Sequence, residues 1–240
     1  MTAVASNCAL VLGAGGGLGS AIVAEFLSDP AITRVFAVSS QGRPAELSVP
    51  DASELKLVWV KTEYNELSMA VVVDQLQEQA SNIGRVCICH GLLHSETIWP
   101  EKRLEDINAT SMHEIFQSNT VVPALWLKLL FKVLKGQEPC VVATMSARVG
   151  SIGDNRMGGW HSYRASKSAL NMVLQNMAIE YARRAKNVKL IAFHPGTTDT
   201  ALSKPFQGAV PSGKLFSPAF VAARLAQLMD NAELDGQLSY

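Results

Sequence analysis

In the stretch HSYRASKSALNM, Tyr163 and Lys167 stand four residues apart. On a helix that spacing stacks two side chains on one face, so the ammonium of Lys167 can lie beside the phenol of Tyr163. A phenol titrates at about pH 10, and a fixed cation nearby favours the phenolate, which would bring the group toward acid and base work at neutral pH. A surface contact between two common residues has the same spacing. The assignment therefore depends on what the rest of the chain places around the pair.

Short apolar runs at 8–12, 34–39, 55–60, 85–89, 139–145 and 187–193 alternate with helical patterns at 18–28, 66–80, 111–135, 162–185 and 218–230. Strands that are apolar throughout are covered on both faces, which means a parallel sheet between helices. The expected architecture is an α/β doubly wound Rossmann fold, mostly parallel, spanning 1–240 as one unit. Residues 236–240 could start a last strand. The patterns at 111–135 and 162–185 are apolar almost all round, as in Leu125, Trp126, Leu127, Leu129, Leu130 and Phe131. Such helices bury two faces, either in a crowded core or, the favoured reading, at the interface of a homodimer or homotetramer.

Directly after the first strand, LVLGAGGGLGSAIV places Gly13, Gly17 and Gly19 at the opening of the first helix, with Leu18 between the last two. Glycine lets a backbone turn tightly and approach a phosphate, and the helix start supplies amide donors. Strand, loop and helix together give the context that dinucleotide binding requires.

The G-x-x-x-G-x-G spacing, joined to Tyr-x-x-x-Lys, resembles the classical short-chain dehydrogenase/reductase family over nearly the whole chain. The segment from Ser146 through Met172 and HPGTTDTALSKPF further resemble the subgroup of C-factor-like proteins and sniffer-type carbonyl reductases. The resemblance implies a catalytic set of Asn119, Ser146, Tyr163 and Lys167. Ser146 would hydrogen-bond a substrate carbonyl and Tyr163 would protonate its oxygen. Lys167 would hold the nicotinamide ribose and lower the phenol's pKa, and Asn119 would position a water behind the lysine. Cofactor contacts would come from Gly13, Gly17, Leu18, Gly19, Gly91, Tyr163 and Lys167, and from the turn bearing Pro195, Gly196, Thr198 and Thr200. The implied reaction is reduction of a small carbonyl compound, with a cofactor-binding signalling protein of little turnover as the alternative.

The chain departs from the family in several places. His90 stands in ICHG where the family has a small residue, though a backbone contact with the cofactor could survive the change. Glu63 is the nearest equivalent of the aspartate that meets the adenine. Gly16 occupies a position where many NADPH users carry a basic residue. The loop from Ser146 to Tyr163 is longer than usual, so Ser151 rivals Ser146 as the catalytic serine; Ser146 is favoured because it ends a strand. In GDNRMGGW (154–159 chiefly), Asp154, Asn155 and Arg156 either contact substrate or shape a solvated loop. The second strand ends in AVSSQGR rather than in an acid, which leaves Ser39, Ser40 and Arg43 as partners for a 2′-phosphate and favours NADP(H) over NAD(H).

Composition narrows the field. Lys plus Arg and Asp plus Glu are 21 each, so the net charge is zero, against a nucleic-acid or anionic-membrane partner. The run at 124–134 is too short and too lysine-punctuated to span a bilayer, and the first residues lack a basic start, so a cytoplasmic location is expected. Cys8, Cys87, Cys89 and Cys140 fall in apolar runs, as buried thiols do. His90, His94, His113, His161 and His194 lack metal-ligand spacing, and no metal is expected. Neither a G-x-S-x-G elbow nor a G-x-x-x-x-G-K-[ST] loop occurs. Residues 201–218, rich in Pro, Gly and Ser, are expected to form a mobile substrate loop.

Overall fold

The computed structural model describes residues 7–45, 47, 49, 51–80, 82–233 and 238. Six strands, β1 (Cys8–Leu12), β2 (Arg34–Ser39), β3 (Leu57–Lys61), β4 (Ile83–Ile88), β5 (Cys140–Met145) and β6 (Val188–Phe193), form one sheet. Their order is β3-β2-β1-β4-β5-β6, and every pairing is parallel. A short pair follows, β7 (Thr197–Thr198) with β8 (Leu215–Phe216). The segment 236–240, apart from Leu238, lies outside the described residues.

The helices are α1 (Gly17–Ser28), α2 (Asp51–Glu54), α3 (Glu66–Gln79), α4 (Ala109–Phe116), α5 (Val122–Leu134), α6 (His161–Arg184) and α7 (Pro218–Asp230). Successive residues of a strand point to opposite faces, and the core divides accordingly. Leu10, Leu12, Phe36, Val38, Val86 and Val142 pack under α3, α5 and α6. Ala9, Val11, Val35, Ala37, Cys87 and Ala143 pack under α1 and α7. That two-sided covering is why the strands read as unbroken apolar runs. Each fully buried aliphatic side chain contributes about 1.5–3 kcal/mol. Arg85 on β4 bridges Asp29 at the end of α1 (2.6 Å) and Asp230 at the end of α7 (2.5 Å), tying that layer to the sheet.

The pattern expected as one helix over 111–135 is one continuous helical run, α4 and α5 being joined by a π turn, Gln117–Val121. The cysteines are all free. Among the described residues no helix is long and apolar enough to cross a membrane, and no cluster of His, Cys, Asp or Glu could hold a metal.

Capping separates the helices by role. Asn65, Asn108 and Ser217 accept hydrogen bonds from the first turns of α3, α4 and α7. No side chain caps α1, whose first turn opens at the carboxyl edge of the sheet, where ligands bind in folds of this topology.

Candidate active site

Gly13 adopts φ +82° and its amide, like that of Ala14, donates to the Val38 carbonyl at 2.9 Å. The chain then turns into α1 so closely that a Cβ on Gly19 would sit 2.3 Å from the Gly13 carbonyl oxygen. A Cβ on Gly17 would meet the Thr200 methyl at 3.1 Å, so the loop and the segment after β7 nearly touch. The resulting groove, about 770 Å³, is lined by Gly13, Gly16, Ser39, Ser40, Tyr64 and Gly91 among others. An uncapped helix start behind a glycine cradle suits a pyrophosphate, and the groove's size and length suit the rest of a dinucleotide. Gly19→Ala cannot be relieved by moving a flexible side chain. We expect it to weaken dinucleotide binding about tenfold or more, a cost of at least about 1.4 kcal/mol, measured by fluorescence titration.

Two residues expected at the groove are directed elsewhere. Arg43 pairs with Glu54 at 2.9 Å and donates a further hydrogen bond to the Leu47 carbonyl, and it does not line the groove. Glu63 accepts from the Asn65 side chain; the adjacent Tyr64 lines the groove instead. The Tyr64 hydroxyl accepts from the Ser40 amide at 3.1 Å, and its ring meets His90 edge-on at 4.3 Å. A lone aromatic beside an acid gave no periodic signal. Ser39 is buried, its hydroxyl accepting from the Gln41 amide.

His90 has a structural part that its sequence position did not disclose. The Trp126 indole donates to His90 Nε2 at 3.0 Å, which fixes the neutral ring with its proton on the other nitrogen. Burial, and secondarily the charge of Lys167, lower the His90 pKa to about 3. The unfolded chain therefore binds an extra proton between that value and the ordinary one of about 6.5. Stability contributed by His90 is present above about pH 6.5 and is lost as pH falls toward 3. We expect the thermal midpoint to fall over this window, and to fall less in His90→Gln, whose amide oxygen still accepts from Trp126.

Tyr163 and Lys167 occupy the first turns of α6, both buried, with the ammonium 5.9 Å from the ring centroid. Lys167 Nζ donates to the Met145 carbonyl at 2.8 Å and faces Gly91, where a Cβ would come within 3.9 Å. Burial pulls the ammonium down to about 8 and pushes the phenol up to about 12. The phenol's shift is opposite to the lowering expected from its cationic neighbour. The physical reason is that desolvation disfavours charge on both groups, and the ammonium sits over the ring while bonding a carbonyl.

Ser146 directly follows β5, its amide donating to the Phe193 carbonyl. Its hydroxyl donates to Asn171 Oδ1 at 2.6 Å, on the same helix as Tyr163, so a turn of that hydroxyl precedes any bond to a substrate. Ser151 instead lines a separate cavity with Ile152, Asn155 and Ser168, which includes neither Tyr163 nor Lys167. Gly150 permits the loop between them to rest on α6, since a Cβ there would lie 2.9 Å from the Lys167 backbone. In the insertion, Asn155 accepts from the Gly158 amide, and Asp154, Asn155 and Arg156 are exposed.

That loop delivers the chain to α6 through three left-handed residues, Gly158 (φ +67°), Gly159 (+63°) and Trp160 (+52°). Glu101, from the loop after β4 and only 4% exposed, holds the helix start. Its carbonyl accepts from the Trp160 amide, and its carboxylate accepts from the Ser162 amide at 3.2 Å and from the Ser162 hydroxyl. A carboxylate is favoured at the positive end of a helix, and here it comes from a distant segment rather than from a local capping residue. Nothing in PEKRLED marks Glu101 as different from its acidic neighbours.

Asn119, in the π turn, is 0% exposed and fully engaged. It accepts from the Leu92 amide (2.6 Å) and donates to the Leu92 carbonyl (2.9 Å) and to Ser166 Oγ (3.0 Å). The side chain expected to position a water thus fastens the loop after β4 to α6. Thr120 adds a bond to the Ser166 carbonyl. Gly196 (φ +70°) makes the turn after Pro195, and Thr198 joins β7.

Residues 7–209 match the sequence model of the short chain dehydrogenase family. The chain is 36% identical to 1-hydroxy-2-glutathionyl-2-methyl-3-butene dehydrogenase of a Rhodococcus species over 113 residues, 47% of each chain, so it spans about half of that relative's length. It is 22% identical to a benzil reductase of Bacillus cereus over 93% of this chain and 94% of the relative. Among solved structures, the NADPH-bound carbonyl reductase from chicken fatty liver superposes with a TM-score of 0.80 at 22% identity, covering 97% of this chain and 94% of the other. The carbonyl reductase Sniffer of D. melanogaster gives 0.75 at 19%, covering 98% and 99%. A glycine loop opening α1, a buried Tyr163 and Lys167 pair on α6 and a family match over most of the length agree with one another: this chain is a member of the short-chain dehydrogenases.

Proposed function

We propose that the protein is an NADP(H)-preferring oxidoreductase that reduces a carbonyl compound to an alcohol. The observation that carries this reading is the buried Tyr163 and Lys167 pair, whose ammonium faces Gly91 on the lining of the groove that holds the glycine loop. Carbonyl reductases among its structural neighbours, one of them NADPH-bound, and a benzil reductase among its relatives support it.

A bound dihydronicotinamide supplies the hydride. The chain's own residues do the rest. Tyr163, protonated across the neutral range because burial holds its pKa at about 12, gives its O–H proton to the carbonyl oxygen as the carbon accepts the hydride. Ser146, released from Asn171, donates a hydrogen bond to that same oxygen. Lys167 holds the ribose hydroxyls with the donor capacity left beyond its bond to Met145. Asn119 keeps α6 and the loop after β4 at fixed separation, so the reacting atoms meet without rearrangement.

The NADP(H) preference rests on the absence of an acid at the end of β2, where Ser39, Ser40 and Gln41 line the groove. Parallel fluorescence titrations with NADPH and NADH test it. We expect NADPH to bind about tenfold more tightly, or about 1.4 kcal/mol; equal affinities would remove the preference, and no saturation with either would remove the enzymatic reading. Assembly as a homodimer or homotetramer through α4, α5 and α6 is supported by exposed apolar residues on the outer face of α6, Met172 and Ile179, and is read by light scattering.

A further inference from the structure

Five rings from three separate segments converge, the phenol of Tyr163 among them. His94 and Trp99 come from the loop after β4, Trp160 and Tyr163 from the start of α6, and Phe206 from the short helix Lys204–Ala209. Trp160 meets Tyr163 edge-on at 6.2 Å and Phe206 at 5.0 Å. Phe206 in turn meets His94 at 5.7 Å and Trp99 at 6.0 Å, both steeply inclined, and His94 stacks on Trp99 at 5.5 Å. His94 Nε2 donates to the Ala201 carbonyl at 3.1 Å, which joins the segment carrying Phe206 to the rest of the wall. Trp99, Trp160 and Phe206 border a cavity of about 980 Å³.

Two features argue that these rings serve a ligand and not only the core. Trp99 is 59% exposed, although burying an indole is among the larger apolar gains open to a protein. Trp160 holds a left-handed backbone that glycine or asparagine would adopt with less strain. A large ring stands where the backbone favours a small residue, and it both meets the phenol and lines the cavity. Of the charged residues lining the cavity, Glu101 is engaged with Ser162 and Asp106 with Arg103, while Glu114 and Lys102 lie on its lining and take no part in the ring contacts that reach the phenol.

We propose that Trp160, Phe206 and Trp99 form an aryl-binding wall, so that the substrate is an aromatic ketone or diketone with its carbonyl at Tyr163 and its ring against Trp160 and Phe206. This rests on the carbonyl-reductase reading above. Edge-to-face geometry, already used among the protein's own rings, is what a substrate ring would extend, and an aliphatic chain gains nothing from it.

The test compares wild type with Phe206→Leu and Trp99→Leu, using 1-phenyl-1,2-propanedione and 2,3-butanedione with saturating NADPH. The quantity read is the ratio of kcat/KM for the aryl dione to that for the alkyl dione. The wall predicts that this ratio falls about tenfold in each variant. A ratio preserved within about twofold in both overturns it. Trp99 is exposed, so its variant keeps the proposal testable should Phe206→Leu fail to fold. If wild type reduces neither dione, the carbonyl reading fails on its own, and the wall is read by tryptophan quenching with benzoin. Saturable quenching that weakens in Phe206→Leu or Trp99→Leu supports an aryl site; absence of saturable quenching in wild type overturns it.

Discussion

Tyr163→Phe should reduce carbonyl turnover by about 10²–10⁴-fold, the range over which a positioned general acid acts. The substitution removes one hydroxyl and keeps the ring, so the contacts with Trp160 and with the Lys167 ammonium persist. The dinucleotide titration should therefore still saturate, and the thermal midpoint should hold or rise slightly, because a buried hydroxyl is deleted. Steady-state kinetics beside the titration separates the two effects. Turnover at the wild-type rate would remove Tyr163 from the chemistry and would direct attention to another proton source in the site.

Lys167→Met carries the second large effect, and it acts in opposite directions on stability and on rate. Lys167 is 2% exposed, its ammonium is bonded to the Met145 carbonyl and has no carboxylate partner among the described residues, and burial lowers its pKa to about 8. Against an ordinary value of about 10.4, that shift corresponds to about 3 kcal/mol of cost in holding the charge at neutral pH. The unfolded chain binds more protons than the folded one between the two values, so stability rises as pH climbs from about 8 to 10.4. Methionine fills similar volume without charge but leaves the Met145 carbonyl without its donor, which returns about 1 kcal/mol. A net gain of about 2 kcal/mol should raise the midpoint by about 4–8 °C at pH 7, flatten the pH dependence above 8, and abolish turnover. In wild type, reduction should slow as pH rises through about 8 while stability improves. A destabilised Lys167→Met would show that the carbonyl bond outweighs the buried charge.

Much of this was legible in the sequence because its signals are periodic or local. The apolar runs gave the parallel sheet, since two-sided burial leaves no alternation to misread, and the glycines before α1 were visible because a close backbone approach tolerates no Cβ. The π turn within the long helix at Gln117–Val121 was not legible: Ser118, Asn119, Thr120 and Val121 are weak helix formers but carry no local signal for a wider turn, and Asn119 there reaches Leu92 and Ser166, contacts distant in sequence. The same limit applies to Glu101, Asn171 and Trp126, whose roles depend on a partner from another segment. Arg43 shows the converse. Its position after β2 suggested a phosphate partner, yet Glu54, eleven residues on, competes for the same guanidinium. For the phenol, a neighbouring charge can be read from spacing, whereas the desolvation that pushes its pKa up can be read only from packing.

The hold of Glu101 on the start of α6 has a consequence for how such an enzyme can be altered. The phenol of Tyr163 lies three residues beyond Trp160, whose amide is bound by Glu101, and Trp99 lies two residues before Glu101. A loop exchanged from a relative to change substrate choice would carry off the carboxylate that sets the register of the catalytic helix. The loop and the helix start are thus one inheritable block: a graft of 92–108 without 158–163 should lose turnover with every substrate, and a graft of both should transfer the donor's choice intact.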